Sequence, residues 1–426
     1  MAHNDSAPTF NDFAELEGEH EMTSPDLFAA NLIEWAVERH ASDLFVSDHE
    51  QCVAVSVRRM GGIEIVRRLA RGYGRRLQGH LRVLSGGDAG ETIRPTEGRG
   101  VVTTPNGNTI DLRLSCIPTL FGQDVSIRLF DPVRGARSLD RLGFDAAELS
   151  QIQSLLNRPS GLILVAGPVA SGKSSTLYAS IDFLNDGTRK IHAIEDPIEH
   201  SLSGVMQSQV NLRAGLDFAD LLAVVLRHSP NVIMIGEVRD QRTAETAVRA
   251  GASGQLVLAT IHAQTAVQAI DSMLQYNAKQ KFLASSLIAV INQRLVRQLC
   301  PTCRREVPVQ QPLDVPSRLQ NRLAGVQPKL YLSGECQHCF GSGFHSLTCL
   351  PEIMSVNQAI SELIGSNASS IEIQRAMVEQ GMLTLAESAT LRVLRGETTA
   401  WEVNRLVEDP FLATLAAMSS SAASIN

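Results

Sequence analysis

The sequence GPVASGKS at residues 167–174 has the spacing of a phosphate-binding loop, with an apolar run before it and a helical pattern after it. A glycine-rich turn between a strand and a helix directs backbone N–H groups at phosphates, at the positive end of the helix dipole. Lys173 would reach the β- and γ-phosphates, and the Ser174 hydroxyl would bind Mg²⁺. The expected ligand is therefore a Mg-nucleoside triphosphate. The residues predicted to surround it are Gly167, Pro168, Val169, Ala170, Ser171, Gly172, Lys173, Ser174 and Ser175.

Short apolar runs alternate with helical patterns on both sides of this loop. The runs are residues 162–166, 191–194, 232–235 and 256–260. Continuous apolar runs of this length are typical of strands that are buried on both faces of a parallel sheet. The alternation and the loop together predict an α/β fold with a RecA-like P-loop NTPase core over residues 146–298.

The chain before this core has a different pattern, which predicts a smaller α+β domain over residues 26–131. Ser24-Pro25 is a helix start, and the alternating residues on either side of Gly61-Gly62 indicate a hairpin. A second hairpin is predicted around residues 105–108. The other predicted segments are a disordered acidic tail (1–25), a linker (132–145), a tetracysteine zinc-binding element (299–345), a helical C-terminal region (346–410) and a tail (411–426).

Composition and charge argue against several classes of protein. The 426 residues are 44% hydrophobic and 19% charged, which is not the composition of a disordered chain. No apolar run approaches the roughly 20 residues of a transmembrane helix. The first 25 residues hold six carboxylates and no Lys or Arg, so a signal peptide is not expected there. A net charge of −7 argues against nucleic-acid binding, although a local basic groove stays open.

Four of the seven cysteines form two C-x-x-C pairs. Each pair can bend over one tetrahedral metal ion, and ligation by thiolates alone suits Zn²⁺. The spacer between the pairs is longer than usual, so four ordinary cysteines remain the alternative. The predicted zinc ligands are Cys300, Cys303, Cys336 and Cys339.

Three further groups follow predicted parallel strands, at the sheet edge where ligands bind in open α/β folds. Glu237 ends an apolar strand. In P-loop NTPases, a carboxylate at the end of such a strand lies near Mg²⁺ and the attacking water. Glu195 belongs to a cluster of three carboxylates, for which a solvated turn is the alternative. His262 ends another strand, and a lone histidine there is more often structural than catalytic.

The order of these blocks resembles the secretion ATPase superfamily, in particular the type II secretion ATPases and the type IV pilus assembly ATPases. The resemblance covers about residues 30–410. It rests on several long motifs in one order, namely ASDL (41–44), LRLS (112–115), VSIRL (125–129), the phosphate-binding loop, IEDPIE (194–199), LRHSPNVIMIGEVRD (226–240), GQLVLATIHA (254–263), QRLVRQLCPTC (293–303) and CQHC (336–339).

The resemblance implies a homo-hexameric ATPase in which the N-terminal domain and the RecA-like domain of neighbouring subunits clamp ATP. Lys173 and Ser174 would bind phosphate and Mg²⁺, and Glu237 would orient the attacking water. Arg113 and Arg128 match two arginines that the N-terminal domain directs at the γ-phosphate, where positive charge stabilises the transition state. Glu195 lies in the family's Asp box and His262 in its His box.

The chain departs from the family pattern at a few positions. Its loop carries Val169, Ala170, Ser174 and Ser175, and Ala170 replaces a glycine whose freedom the turn normally uses. Gln255 stands where the first histidine of the His box is usual, and Asn231 where an Asp is usual. No strictly required residue is lost, but the turnover rate is left open.

The resemblance further implies a motor that acts on an inner-membrane platform protein to extrude pilin or pseudopilin subunits. Such a protein has no transmembrane segment and lies on the cytoplasmic face of the bacterial inner membrane. The cysteine pairs favour assembly motors over retraction motors. A low-turnover ATP-binding regulator or scaffold is the alternative, and a nucleic-acid translocase is a weaker one. The choice between secretion and pilus assembly, and the role of the arginine-rich stretch 58–82, stay open.

Overall fold

The computed structural model describes residues 24–130, 138–308, 313–323 and 325–423. These residues divide into two compact units, and the first comprises residues 24–130 together with 335–341. The predicted acidic tail lies almost wholly outside the described residues, as do the first part of the predicted linker and the last three residues of the chain. The boundaries of the seven predicted segments therefore stay predictions, except where a described element contradicts them.

The first unit is a six-stranded antiparallel sheet that shares one hydrophobic core with two helices. The helices are α1 (Pro25–Glu38) and α2 (Arg71–Leu84). The strands are β1 (Ala41–Asp48), β2 (Val53–Arg59), β3 (Gly62–Leu69), β4 (Thr96–Thr103), β5 (Thr109–Thr119) and β6 (Gly122–Phe130). Their order in the sheet is β3-β2-β1-β6-β5-β4.

This unit confirms the predicted α+β domain and both hairpins, β2–β3 and β4–β5. Helix α2 was not predicted from the sequence, because its arginines hide the apolar face formed by residues such as Leu77 and Leu81. The arginine-rich stretch extends over β2, β3 and α2. Arg67 and Arg82 are buried, and Arg82 donates to the carbonyl of Ala89 at 2.6 Å. The stretch is therefore not one continuous solvent-facing basic surface.

The second unit contains a seven-stranded sheet of order β15-β12-β7-β11-β10-β8-β9. All neighbouring strands in it are parallel except the antiparallel pair β12–β15. The strands are β7 (Gly161–Ala166), β8 (Ile191–Glu195), β9 (Met206–Gln209), β10 (Val232–Ile235), β11 (Leu256–Ile261), β12 (Leu287–Leu299) and β15 (Phe344–Ser355). A separate two-stranded ribbon pairs β13 (Arg305–Glu306) with β14 (Tyr331–Leu332).

Helices connect and follow these strands. They are α3 (Ala146–Leu156), α4 (Lys173–Leu184), α5 (Phe218–Val225), α6 (Gln241–Ala252), α7 (Ala266–Gln275), α8 (Gln280–Ser286), α9 (Ser317–Gln320), α10 (Gln358–Gly365), α11 (Ser370–Glu379), α12 (Leu385–Leu394), α13 (Ala400–Asn404) and α14 (Pro410–Ala423). Within the described parts of the chain, no helix is both long and apolar enough to cross a membrane.

The four predicted apolar runs are four neighbouring parallel strands, β7, β11, β10 and β8. Strand β7 contributes Leu162 and Leu164 to one hydrophobic cluster and Ile163 and Val165 to another, because alternate side chains point to opposite faces. The sheet is thus covered on both faces, as the continuous apolar runs predict. The RecA-like α/β core is confirmed.

Two predictions about the C-terminal part are wrong. Residues 346–355, placed in the helical region, belong to strand β15, which forms the edge of the sheet and so accommodates Pro351 without losing an interior hydrogen bond. The predicted tail from residue 411 is instead helix α14, whose Leu412 and Leu415 are buried in a hydrophobic cluster. Its serines and alanines suggested fraying, but the apolar spacing is helical.

Candidate active site

The loop of residues 167–172 joins β7 to α4. Ala170 has a φ of 61° and Gly172 a φ of 86°, so both residues adopt the left-handed conformation. Gly172 is also the N-cap of α4. A Cβ atom on Gly167 would lie 2.6 Å from the carbonyl oxygen of Gln293, which leaves room for glycine only. The loop therefore has the tight turn expected of a phosphate-binding loop, with alanine at a position that favours glycine.

Lys173 begins helix α4, and its ammonium group lies over the loop. Its Nζ donates to the carbonyl oxygens of Gly167 and Pro168, each at 2.9 Å. Burial lowers the pKa of Lys173, while the nearby carboxylate of Glu237 opposes this shift. The predicted phosphate-binding lysine and the predicted catalytic carboxylate are thus brought close enough to interact electrostatically.

Glu237 follows β10, and its carboxylate has a partner on each oxygen. Nε2 of His262 lies 2.6 Å from its Oε1, and Nε of Arg239 donates to its Oε2, also at 2.6 Å. Arg239 extends further toward Asp196, at 3.6 Å. The Glu237 side chain is 15% exposed and that of His262 51% exposed, so this pair sits at the surface of the site. The sequence alone did not predict this direct contact.

Glu195, at the end of β8, is buried and held by two side chains that no sequence motif indicated. Tyr178 of α4 donates its hydroxyl to Oε2, and Gln207 of β9 donates to Oε1 at 2.9 Å. Burial and the Glu195 carboxylate raise the pKa of Tyr178, which keeps its proton. The ring of His200 stacks on Tyr178 with the centroids 4.0 Å apart. Glu195 is therefore anchored rather than exposed to solvent.

Three consecutive polar residues of β12, Asn292, Gln293 and Arg294, are also buried beside the site. Gln293 bonds to the phosphate-binding loop. Arg294 donates to the backbone carbonyl of Gln264, at 2.7 Å, and to its side-chain oxygen, at 2.8 Å. Gln264 lies two residues after His262. The motif QRLVRQLCPTC includes Gln293 and Arg294, but nothing in the sequence indicated that the three side chains are buried beside the phosphate-binding loop.

A cavity of about 590 Å³ opens beside the loop. Its walls combine the loop, the segment after β11 and helix α7. The lining residues are Pro168, Val169, His262, Ala263, Gln264, Gln268, Asp271, Ser272 and Gln275. Polar side chains and the imidazole of His262 therefore face a space next to the predicted phosphate position.

The other residues of the loop differ in exposure. Val169 is 81% exposed, and Ser174 and Ser175 in the first turn of α4 are exposed as well, whereas Ser171 is buried. Two of the departures from the family pattern lie elsewhere. Gln255 and Asn231 immediately precede β11 and β10, at the amino ends of these strands, whereas His262 and Glu237 follow the carboxyl ends. The six residues of β11 span roughly 20 Å and the four residues of β10 roughly 13 Å, so neither departure touches the site.

Arg113 and Arg128 belong to the first unit, on the adjacent strands β5 and β6, where they are directly opposite each other. Nε of Arg128 donates to Asp43 at 3.2 Å, and Asp43 also pairs with Arg58 at 3.3 Å. Directly opposite residues share one face of a sheet. The two guanidinium groups therefore belong to one face of the first unit, and their role toward the γ-phosphate stays a prediction.

The sulfur atoms of Cys300, Cys303, Cys336 and Cys339 all lie within 4.8 Å of one another. The sulfurs of the second pair are 3.6 Å apart. A tetrahedral site with Zn–S bonds near 2.3 Å requires sulfurs roughly 3.8 Å apart, so small shifts would complete one. The cluster can thus hold a metal ion, as the two C-x-x-C pairs predict.

The loop geometry, the lysine and the carboxylate at the carboxyl edge of a RecA-like sheet define a P-loop nucleotide-binding protein. Residues 19–405 match the family described as Type II/IV secretion system protein. The chain is 34% identical to the type II secretion system protein E of Aeromonas hydrophila, over 88% of this chain and 74% of that protein. It is 32% identical to the type IV pilus assembly ATPase PilB of Acinetobacter baylyi, over 88% of this chain and 65% of that protein.

Among solved structures, the ATPase DotB of Legionella pneumophila has a similar fold. Its TM-score is 0.65 at 17% identity, and the match covers 90% of this chain and 96% of that one. The chain belongs to the type II/IV secretion system protein family. This confirms the family resemblance that the order of the sequence motifs indicates.

The left-handed conformation of Ala170 leads to a prediction about stability. Ala170→Gly should raise the free energy of unfolding by up to about 1 kcal/mol, because glycine avoids the steric cost of this conformation. Ala223, exposed in the middle of α5, is the matched control, and Ala223→Gly should lower the same free energy by about 0.5–1 kcal/mol. Chemical denaturation measures both. Equal losses in the two variants would contradict the assigned conformation.

Proposed function

We propose that the chain is a hexameric ATPase that converts ATP hydrolysis into domain motion for pilin or pseudopilin assembly. One observation carries the catalytic part of this proposal, namely that the Glu237 carboxylate contacts His262 and lies near the Lys173 ammonium. A carboxylate in this position, next to a phosphate-binding loop, can orient a water molecule for attack on a γ-phosphate.

Each residue of the site has a defined part in the proposed reaction. The loop N–H groups bind the phosphates of ATP, and Lys173 exchanges its two carbonyl partners for phosphate oxygens. Ser174 holds Mg²⁺, which neutralises charge on the phosphates. Glu237 positions the attacking water, while His262 and Arg239 fix the direction of its carboxylate. Glu195, anchored by Tyr178 and Gln207, adds negative charge at the next strand end.

The proposed hexamer supplies the remaining positive charge. Arg113 and Arg128 belong to one face of the first unit, and in the proposed mechanism they approach the γ-phosphate bound to a neighbouring subunit. Positive charge there stabilises the transition state more than the ground state. Hydrolysis would then release the clamp, and this motion would act on an inner-membrane platform protein at the cytoplasmic face of the membrane.

We also propose that the tetracysteine cluster binds Zn²⁺. Four thiolates select this ion and leave no open position for a substrate, so its role would be structural. Four-thiolate ligation would tie the two C-x-x-C pairs together across the spacer between them.

A low-turnover regulator is the alternative function, suggested by the altered loop and the altered His box. The position of Gln255 favours the ATPase, because this residue lies at the opposite end of β11 from His262. Ala170 keeps the backbone turn that glycine would adopt, with a φ of 61°. Neither departure removes a group from the proposed reaction.

The catalytic assignment predicts that Glu237→Gln abolishes steady-state hydrolysis while ATP binding survives, because the phosphate cradle stays intact. Lys173→Ala should instead lose nucleotide affinity. Phosphate release and calorimetric titration with Mg-ATP separate the two effects. Glu379→Gln, a change at an exposed carboxylate in the last turn of α11, is the control and should leave both quantities unchanged. Near wild-type turnover in the Glu237 variant would refute the assignment.

The shared site predicts that Arg113→Ala and Arg128→Ala each lower kcat by roughly 10³, with little change in ATP affinity. Arg99 is the matched control, since it is exposed on β4 directly opposite Arg113, and Arg99→Ala should keep kcat near the wild-type value. Mixing the Arg128→Ala and Glu237→Gln proteins should restore partial activity. Hexamers that are shown to be mixed and yet remain inactive would argue for a site within one chain.

The cluster predicts about one Zn²⁺ per subunit in protein purified under reducing conditions. Cys336→Ser should lower this content and the thermal stability, whereas Cys52→Ser, at a half-buried cysteine outside the cluster, should keep the zinc. Elemental analysis measures the metal. Wild-type protein without stoichiometric zinc would rule out the assignment.

A further inference from the structure

Strand β12 runs parallel to β7 and extends past its end, so that residues 293 and 294 lie beside the phosphate-binding loop. Asn292, Gln293 and Arg294 are at most 7% exposed in a strand whose preceding residues are apolar. Buried polar side chains are costly unless they are hydrogen-bonded, and each of these three is bonded to a loop of the site or to a neighbouring strand. Gln293 is the member of this triplet that contacts the phosphate-binding loop.

The Gln293 amide bridges two parts of the loop region. Its Nε2 donates to the carbonyl oxygen of Ser171 at 2.7 Å, and its Oε1 accepts from the hydroxyl of Thr176 at 2.9 Å. Thr176 lies in the first turn of α4 and is itself buried. The end of the loop is therefore tied both to the central sheet and to the start of the helix by one side chain.

The bond to Ser171 determines the direction of the next N–H group. In a trans peptide the C=O and N–H bonds point in opposite directions. Because the Ser171 carbonyl points at Gln293, the Gly172 N–H must point away from β12. Gly172 has a φ of 86° and no side chain, so its own conformation restrains this peptide only weakly. The orientation of the peptide then depends on the amide that binds its carbonyl.

We propose that Gln293 is a positioning residue of the nucleotide site, which orients the Ser171–Gly172 peptide so that its N–H faces a bound phosphate. The inference rests on the proposed function, because it requires that the loop binds a nucleotide. Gln293 itself does not touch the ligand. Its donor group acts on the loop, whereas its acceptor group fixes the amide to Thr176.

The two halves of the amide give different expectations. Gln293→Met keeps the length of the side chain but removes the donor, so the Ser171–Gly172 peptide can rotate and the affinity for Mg-ATP should fall about tenfold, the effect of one charge-assisted hydrogen bond. Thr176→Val removes only the partner of Oε1 and should lower the affinity by less than threefold. Gln293→Glu keeps the acceptor and loses the donor, so it should resemble Gln293→Met.

Gln298 offers a matched control on the same strand. Its Oε1 accepts from the Ser346 hydroxyl at 2.7 Å, and the residue lies roughly 16 Å along β12 from Gln293. Gln298→Met makes the same chemical change without contact to the loop. Calorimetric titration with Mg-ATP and thermal unfolding without nucleotide are measured for all variants.

The expected result is a weaker affinity in both Gln293 variants, with a thermal stability comparable to that of Gln298→Met. The inference would be overturned if the wild-type protein binds Mg-ATP and a folded Gln293 variant binds it with the same affinity as Gln298→Met. Equal losses of affinity in Gln293→Met and Thr176→Val would also overturn it, because the amide would then act only as packing. A wild-type protein that fails to bind Mg-ATP would overturn the proposed function as well.

Discussion

The arrangement of the site depends on one constraint, namely that four parallel strands end at the same edge of the sheet. The order β7-β11-β10-β8 places the strand that leads to His262 between the strand of the phosphate-binding loop and the strand of Glu237. Neighbouring strands lie about 4.8 Å apart, so side chains one or two residues past their ends can meet. The contact of His262 with Glu237 follows from this order. Strand β8, which ends at Glu195, lies on the other side of β10. The Gly236 N–H donates to the Ile194 carbonyl at 2.8 Å and so joins the ends of these two strands.

At the same edge, the apolar side chains of the buried strands give way to polar side chains. Glu195, Gln293 and Glu352 are each at most 4% exposed, and each one has hydrogen-bond partners on another element. Burial raises the pKa of Glu352, although the Ala266 N–H and the Asn292 amide bind its carboxylate. Leaving such a group without a partner costs more than its hydrogen bond contributes. The loops of the site are therefore held by a connected polar layer beneath them, and not by their own sequences alone.

The parts of the fold that could be predicted are those with a local signal. The apolar runs, the phosphate-binding loop and the carboxylate after β10 follow from composition and spacing within a few residues. Strand β12 was missed because three polar residues interrupt its pattern, and β15 because Pro351 is tolerated only at a sheet edge that the sequence does not reveal. Helix α14 was missed because small residues conceal its buried leucines.

The site was predictable to a similar degree. Lys173, Ser174 and Glu237 follow from motifs, whereas the roles proposed for Arg113, Arg128 and His262 depend on the family resemblance. The partners of Glu195 could not be found from the sequence, since Tyr178 and Gln207 lie on different elements that only the folded sheet brings together. Gln293 is 117 residues from Thr176, so no local pattern could indicate their contact.

Asn231, Gln255 and Ala170 differ from the family pattern, and the position of each residue in the sheet decides which part of the structure the difference affects. Asn231 and Gln255 lie at the amino edge, where the side-chain oxygen of Asn231 accepts from the Lys190 N–H at 2.8 Å and the backbone carbonyl of Gln255 accepts from the Gly161 N–H at 3.0 Å. These contacts hold strand ends together and are remote from the phosphates. Ala170 lies at the carboxyl edge, within the loop itself. Its φ is nevertheless that of a left-handed glycine, so the directions of the loop N–H groups are preserved and the cost falls on the stability of the folded chain.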